Sequence, residues 1–299
     1  MDSAVIDKDL IDLLFAPPHG AKDRGADGAS PAWRNLPDPC RLGRRMAALY
    51  AVWQRRRLPD MTALAGMLLR RTGIGPGDPL IRCCLGAARA VDAWGGFPYH
   101  SAAHHAEVAT NAMVLAELAD RLGHRLDKRA AAMLLAASLA HDLHYLPAAG
   151  RPRFAAEGAA ADAMDAIAAE AGCTDADRAT LRALIIATEP GLRLRPGGPL
   201  GAPLDPAAMG RFDALPASPD VAALAAILSD ADLLSSVGLT PGWYQVQKTR
   251  LEAESGQMQR PVDSTRFFRD IVGPDFLSEP GRVFSANLAA IRHGACAAS

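Results

Sequence analysis

Six of the eight histidines in this 299-residue chain fall between Tyr99 and Tyr145: His100, His104, His105, His124, His141 and His144. Imidazole nitrogens and carboxylate oxygens are the donors that hold a divalent cation, and several converging on one point make a metal site. His100 and His104 are four residues apart, so on a helix they stack about one turn from each other on one face. The adjacent pair His141-Asp142 follows about forty residues later, at the end of an almost wholly apolar run from Ala130 to Ala140. A run that is apolar all round reads as a helix in the middle of a bundle. Ionisable groups at the end of such a helix must be paired or bound to a metal. Farther on, Asp230 and Asp232 lie in the apolar stretch LAAILSDADLLSSVGL. Two residues apart, they point to different faces: one caps the helix or faces solvent, or one supplies a further carboxylate to a metal site. His105 points about 100° away from His104, which gives it a supporting or a surface position. His124, beside Gly123, reads as a helix C-terminal cap or an exposed group. Glu107 and Glu157 are helical acids that either face solvent or orient a ligand or a water.

Helices must carry these groups. Alanine is abundant and β-branched runs are scarce, which favours helix throughout. A short amphipathic segment at Leu10–Phe15 precedes the stretch PPHGAKDRGADGASPAWRNLPDP, which reads as loop and contains an exposed His19. Met46, Leu49, Tyr50 and Trp53 recur at helical spacing within 42–57, and the run Arg55, Arg56, Arg57 reads as its solvated end. Further helices are expected at 62–71 and 80–94. Gly95, Gly96 and Pro98 then turn the chain tightly and deliver Tyr99-His100 to the mouth of a new helix, along which His104, Val108, Ala112 and Leu115 follow. Helices at 128–144, Ala155–Ala171, 175–188, from 221 through the Asp230-Asp232 stretch, 243–254, 264–272 and 285–291 complete the expectation. The Pro/Gly-rich segment 190–219 reads as a surface loop. The result is an all-α chain: an N-terminal segment, 1–40, and a single helical domain, 41–299.

Composition narrows the function classes. The formal net charge is −1 and only 5 % of residues are aromatic, so neither a nucleic-acid polymer nor an anionic membrane surface is expected as a partner. The N-terminus carries acids where a secretory signal carries lysines, and no apolar stretch approaches the ~18 residues of a membrane span. The five cysteines show no CxxC spacing and read as reduced thiols, which points to a cytoplasmic protein.

The order of these residues resembles that of the HD-domain metal-dependent phosphohydrolases. Within that superfamily the local sequence is most similar to the catalytic domains of class I cyclic nucleotide phosphodiesterases. Their YHNxxHAxDV motif is similar to residues 99–108 here, YHSAAHHAEV. The match implies that His100 is a general acid and His104 a metal ligand. It makes His141-Asp142 the HD pair, with Asp142 bridging two metals. The family's LAT(D) segment resembles residues 186–189, and its ADLS segment resembles residues 231–234, which selects Asp232 over Asp230 as the fourth ligand. Its SQxxF segment has a counterpart in residues 264–268, where Phe268 falls at the base-clamping aromatic. The resemblance covers about 97–272 and implies an HD-domain helical bundle. It also implies one or two divalent ions (Mn, Mg, Fe or Zn) and a small phosphorylated substrate, a nucleotide above all.

The departures bear on the substrate. Tyr145 stands where these phosphodiesterases carry a histidine three positions after the HD pair, with His144 displaced by one. The second His-His pair of the family is replaced by Gly158-Ala159 after Glu157, and Thr265 stands at the purine-recognising glutamine. The expected activity is hydrolysis of a cyclic nucleotide or related small phosphodiester, by a metal-activated hydroxide with His100 as acid. The alternatives are a nucleotide or alarmone phosphohydrolase of the same superfamily, and a helical regulatory protein whose site is vestigial.

Overall fold

The computed structural model describes residues 10–16, 36–55, 60–146, 154–193, 218–257 and 264–293. Every regular element among them is helical. The helices, in chain order, are α1 (Leu10–Phe15), α2 (Pro39–Arg55), α3 (Met61–Thr72), α4 (Pro79–Ala93), α5 (Ala102–Arg121), α6 (Lys128–Ala140), α7 (Ala155–Ala171) and α8 (Asp175–Ile186). They continue with α9 (Pro190–Arg193), α10 (Pro219–Val237), α11 (Pro241–Gln257), α12 (Ser264–Phe267), α13 (Glu279–Arg282) and α14 (Ser285–His293). A π-helical turn, Phe268–Val272, extends α12. His19, Arg56, Arg57 and most of 190–219 lie outside the described residues, as does the side chain of Thr265.

Helix starts are written into the sequence as side-chain caps. The Asp60 carboxylate accepts from the amides of Thr62 and Ala63, Asp78 from Leu80, and Asp127 from Ala130. Each meets a backbone donor that the first helical turn leaves without a partner. At α8, Thr174 and Asp177 form a reciprocal capping box. Arg129, in the first turn of α6, reaches both Asp78 and Asp177 at 2.6 Å. One guanidinium thus ties the starts of α4 and α8 to that of α6.

Three central helices carry the groups singled out by the sequence. All of α6 from Ala131 to Ala140 is buried, and α5 is buried without a break from His104 to Leu115. Ala109 and Ala112 on α5 and Ala225 and Ala231 on α10 are fully buried, and such small side chains let helix axes approach closely. α10 packs along α5, while α6 packs against α4, α5 and α8. The apolar core around them runs from Ile11 to Leu288. No single helix among the described residues is long and apolar enough to cross a membrane.

Several helix ends shift by two or three residues from expectation, and two departures are larger. α6 ends at Ala140 rather than at His144: His141 is its C-cap, and Asp142 to His144 form turns. His144 takes a left-handed φ of 61°, which no residue adopts inside an α-helix, and the Tyr145 amide closes the turn onto the Asp142 carbonyl at 3.0 Å. Within the expected loop 190–219, Pro190–Arg193 forms a helical turn whose Arg193 is buried.

The Asp177 node gives a stability test. Burial pushes its carboxyl up, but Arg129 and the Thr174 hydroxyl and amide outweigh that and hold it below the usual carboxylate range. Its contribution is therefore complete above the unfolded value of about 3.9 and lost as the pH falls through the depressed folded one. Asp177→Ala is expected to cost about 1–2 kcal/mol at neutral pH. Urea unfolding should show that gap closing as the solution is taken to pH 3.

Candidate metal centre

His104 leaves the first turn of α5, His141 and Asp142 sit just past the end of α6, and Asp232 lies in the last third of α10. Each offers one donor atom, and the four atoms lie within 4.8 Å of one another. His104 Nε2 stands 3.3 Å from Asp142 Oδ2 and 3.1 Å from Asp232 Oδ1. His141 Nε2 stands 3.1 Å and 3.6 Å from the same two oxygens, and 3.3 Å from His104 Nε2. Donors about 2.1 Å from a central cation are about 3.0 Å apart across an octahedral edge and about 3.4 Å across a tetrahedral one. The spacing fits a divalent ion.

The tautomer fits as well. His141 Nδ1 lies 2.9 Å from the Ser138 carbonyl, which can only accept, so Nδ1 carries the proton and Nε2 turns its lone pair to the other donors. His104 departs from this pattern, because its buried Nδ1 has no partner among the described residues. The two imidazoles are 1 % exposed, against 16 % for Asp142 and 23 % for Asp232. Water therefore reaches the cup from its carboxylate side, where open coordination positions would lie.

His100 is at the rim. Its Nε2 is 3.9 Å from Asp142 Oδ2, farther than the ligand edges, while its Nδ1 is 2.6 Å from Glu254 Oε1. The Tyr145 ring stacks on its imidazole, centroids 3.7 Å apart and planes 22° apart. The chain reaches His100 through a tight turn in which the Phe97 amide donates to the His100 carbonyl at 2.6 Å. Gly96 makes that turn possible: its φ is +64°, and a Cβ there would stand 2.8 Å from the same carbonyl oxygen. Tyr99 goes inward, its hydroxyl 2.6 Å from Ser236 and its ring 4.8 Å from that of His104.

The structure separates the two late aspartates. Asp232 faces His104 and His141, whereas Asp230 is fully buried on another face of α10. Asp230 accepts from Arg193 at 2.7 Å, from the amides of Leu277 and Ser278 at 3.0 and 2.7 Å, and from the Ser278 hydroxyl at 2.6 Å. It is a structural anchor for the segment before α13. His105 is not at the surface: it is fully buried, its Nδ1 meets the Leu139 carbonyl at 2.9 Å, and its ring packs against Trp94 and His141. α5 has no solvent face at that level, so the angular offset from His104 led to another neighbour and not to water. His124 is exposed and pairs with Glu279 at 2.9 Å.

None of the remaining candidates belongs to the group of four donors. Glu107 is fully buried and bonded to Gln54, Gln247 and Arg250, not a surface acid. Glu157 is half-buried in the first turn of α7. Phe268 packs against Tyr244 at 5.7 Å and under the Arg292 guanidinium, lining a groove of about 840 Å³ that includes none of the four donors. Glu254 and Arg250 escaped the sequence reading. Both lie on α11, about 150 residues from His100, and no local pattern marks them.

The four side chains compete for protons as well as cations. Burial pushes both imidazoles down, but the adjoining carboxylates more than offset it, raising His104 and lifting His141 well above the ordinary value. Burial pushes Asp142 and Asp232 up, and the histidines reverse it, so both carboxyls are held low. In the protein alone this pairing stabilises fully between the unfolded carboxyl value of about 3.9 and the unfolded imidazole value of about 6.5. It fades as the pH rises through the raised folded imidazole values or falls through the depressed carboxyl ones.

A comparison with protein-family models finds no match to the chain, and a comparison with curated proteins finds none either.

Mn²⁺ must displace protons from the cup, so its apparent affinity should rise with pH. Calorimetric titration near pH 6.5 in two buffers of different ionisation heat should register the release. A second test separates the aspartates. Asp230→Asn should lower folding stability by about 3–5 kcal/mol by stripping the buried Arg193 of its counter-charge. Asp232→Asn should keep the fold and lose Mn²⁺ binding.

Proposed function

We propose that this protein is a metal-dependent phosphohydrolase of the HD-domain type, acting on a small phosphodiester such as a cyclic nucleotide. The observation that carries this reading is the meeting of His104, His141, Asp142 and Asp232 from three helices, with donors at ligand-edge spacing and His100 beside them. The resemblance of residues 99–108 and of the His-Asp pair to phosphodiesterase motifs supports it.

A divalent cation held by these four side chains supplies a Lewis acid that makes water a nucleophile at neutral pH and offsets phosphoryl charge. Asp142 and Asp232, on the solvent side, leave the phosphoryl group an approach. His100 has the placement of a general acid rather than a ligand. Glu254 fixes its Nδ1–H and is itself held below the ordinary carboxyl value: burial raises it, and the bonds from the His100 ring and the Tyr99 and His100 amides prevail. With both ring nitrogens protonated, Nε2–H faces the rim and can pass its proton to the departing alkoxide, leaving a neutral ring whose Nδ1–H stays on Glu254. Tyr145, stacked on the ring, stops it from swinging away.

His141→Ala or Asp142→Ala is expected to abolish both Mn²⁺ binding and turnover. His100→Ala should retain Mn²⁺ and lose about 10²–10⁴ of the rate, the usual range for a positioned acid. Metal analysis of each variant and rates on paired phosphodiester and phosphomonoester substrates with Mn²⁺ are the measurements. Turnover of the monoester alone would redirect the reading to a nucleotide phosphomonoesterase. Metal content and rate unchanged in the first two variants would refute the site.

A further inference from the structure

The turn that presents His100 is gripped from one side by a single helix, α11. Glu254 takes its donors, accepting from the Tyr99 amide at 3.0 Å, the His100 amide at 3.1 Å and the His100 ring at 2.6 Å. Arg250, one helical turn earlier, takes its acceptors. Its Nε donates to the Pro98 carbonyl at 2.9 Å, and its Nη2 to the Ser101 hydroxyl at 2.9 Å and the Tyr99 carbonyl at 3.3 Å. Ser101 is the N-cap residue of α5, yet its hydroxyl makes no cap bond; it donates to the Tyr99 carbonyl and accepts from Arg250.

The other end of the guanidinium is equally tied. Arg250 Nη1 donates to Gln247 at 2.8 Å and to the buried Glu107 at 3.3 Å. Gln247 in turn donates to Glu107 at 2.5 Å, and Gln54 does so at 3.4 Å. Glu107 is three residues past His104 on α5. Arg250 therefore connects the element that carries a candidate metal ligand to the turn that carries the candidate acid, without touching the His100 ring or any of the four donors. A planar, five-donor fork makes this set of bonds; an ammonium cannot span it.

We propose that Arg250 is a positioning residue for His100: by holding the carbonyl edge of the 96–101 turn against α5, it sets where His100 Nε2 stands relative to Asp142. The inference rests on the reading of His100 as a general acid. A misplacement of about 1 Å at a reacting group costs on the order of 10²-fold in rate.

The test uses the full-length protein with Zn²⁺ and ¹⁵N-histidine labelling, comparing wild type with Arg250→Met and Arg250→Lys. The double variant Glu107→Gln/Arg250→Met serves should the single change, which strips Glu107 of its counter-charge, fail to fold. In the wild type the Nδ1–H of His100, bonded to Glu254, should give a slowly exchanging downfield resonance. Arg250→Met should lose it while Zn²⁺ affinity changes by less than about threefold, as for a site that shares no ligand with the substitution. Rates should fall by about 10²-fold on a diester with an alkoxide leaving group, and far less on a p-nitrophenyl diester, whose leaving group needs no acid. Arg250→Lys should fall between. An unchanged resonance in Arg250→Met overturns the proposal, and so does a parallel loss of Zn²⁺ binding or an equal fall on both diesters. A wild type that cleaves neither diester refutes the phosphodiesterase reading instead, and the resonance then decides the role of Arg250.

Discussion

Two imidazoles and two carboxylates share a space inside a helical bundle that water enters from one side only. Each alone would be intolerable there, since a lone buried charge is far costlier than any one packing contact repays. Together they are mutually neutralising, and the rest of the molecule can be understood as the apparatus that keeps them together. The burial of α5 and α6 on all sides removes any alternative place for His104 and His141 to go. The small side chains of α5 and α10 bring Asp232 close enough to share their protons or a cation.

Around that centre the chain uses ionic and hydrogen-bonded ties where helices must be aimed, and apolar packing where they need only be close. Arg129 gathers the starts of α4, α6 and α8. Arg193 and Asp230 join α9, α10 and the segment before α13. In the 96–101 turn the Tyr99 and His100 amides and the Pro98 and Tyr99 carbonyls are met from α11, and the Phe97 amide is met by the His100 carbonyl. Each tie lies at a junction where a loop approaches the donor cluster or a central helix, and these are the places where apolar contact, which has no direction, would leave orientation undefined.

How much of this was legible in the sequence depended on how local the cause was. Caps such as Asp60, Asp78 and Asp127 act within three residues, and helix existence followed from spacing and composition. The apolar run before His141 announced a buried helix end, but not that the helix would stop at Ala140, because the reversal depends on a single residue, His144, taking a left-handed conformation. Asp230 and Asp232 were indistinguishable from spacing alone: what separates them is Arg193, nearly forty residues away, on one face of α10 and two histidines on the other. His105 stayed open between a supporting and a surface position for the same reason, since an angle on a helical wheel gives a direction without saying what stands there; the Leu139 carbonyl and the His141 ring make it a supporting one. Glu254 and Arg250 were invisible, as their roles exist only once α11 lies against the 96–101 turn.

One side-chain amide has a reach beyond its size. Asn111 lies two turns along α5 from His104, accepts from the buried Tyr50 hydroxyl at 2.6 Å, and donates to the Ala231 carbonyl at 2.8 Å. Ala231 immediately precedes Asp232, so this bond works as a key in a slot. It fixes the roll of α10 about its own axis at the level where a rotation of one residue, about 100°, would exchange one aspartate for a neighbour. Greasy surfaces permit such rolling; the keyed amide forbids it. Drift at position 111 would thus blur the azimuth of an entire helix, and with it the shape of a pocket two turns away.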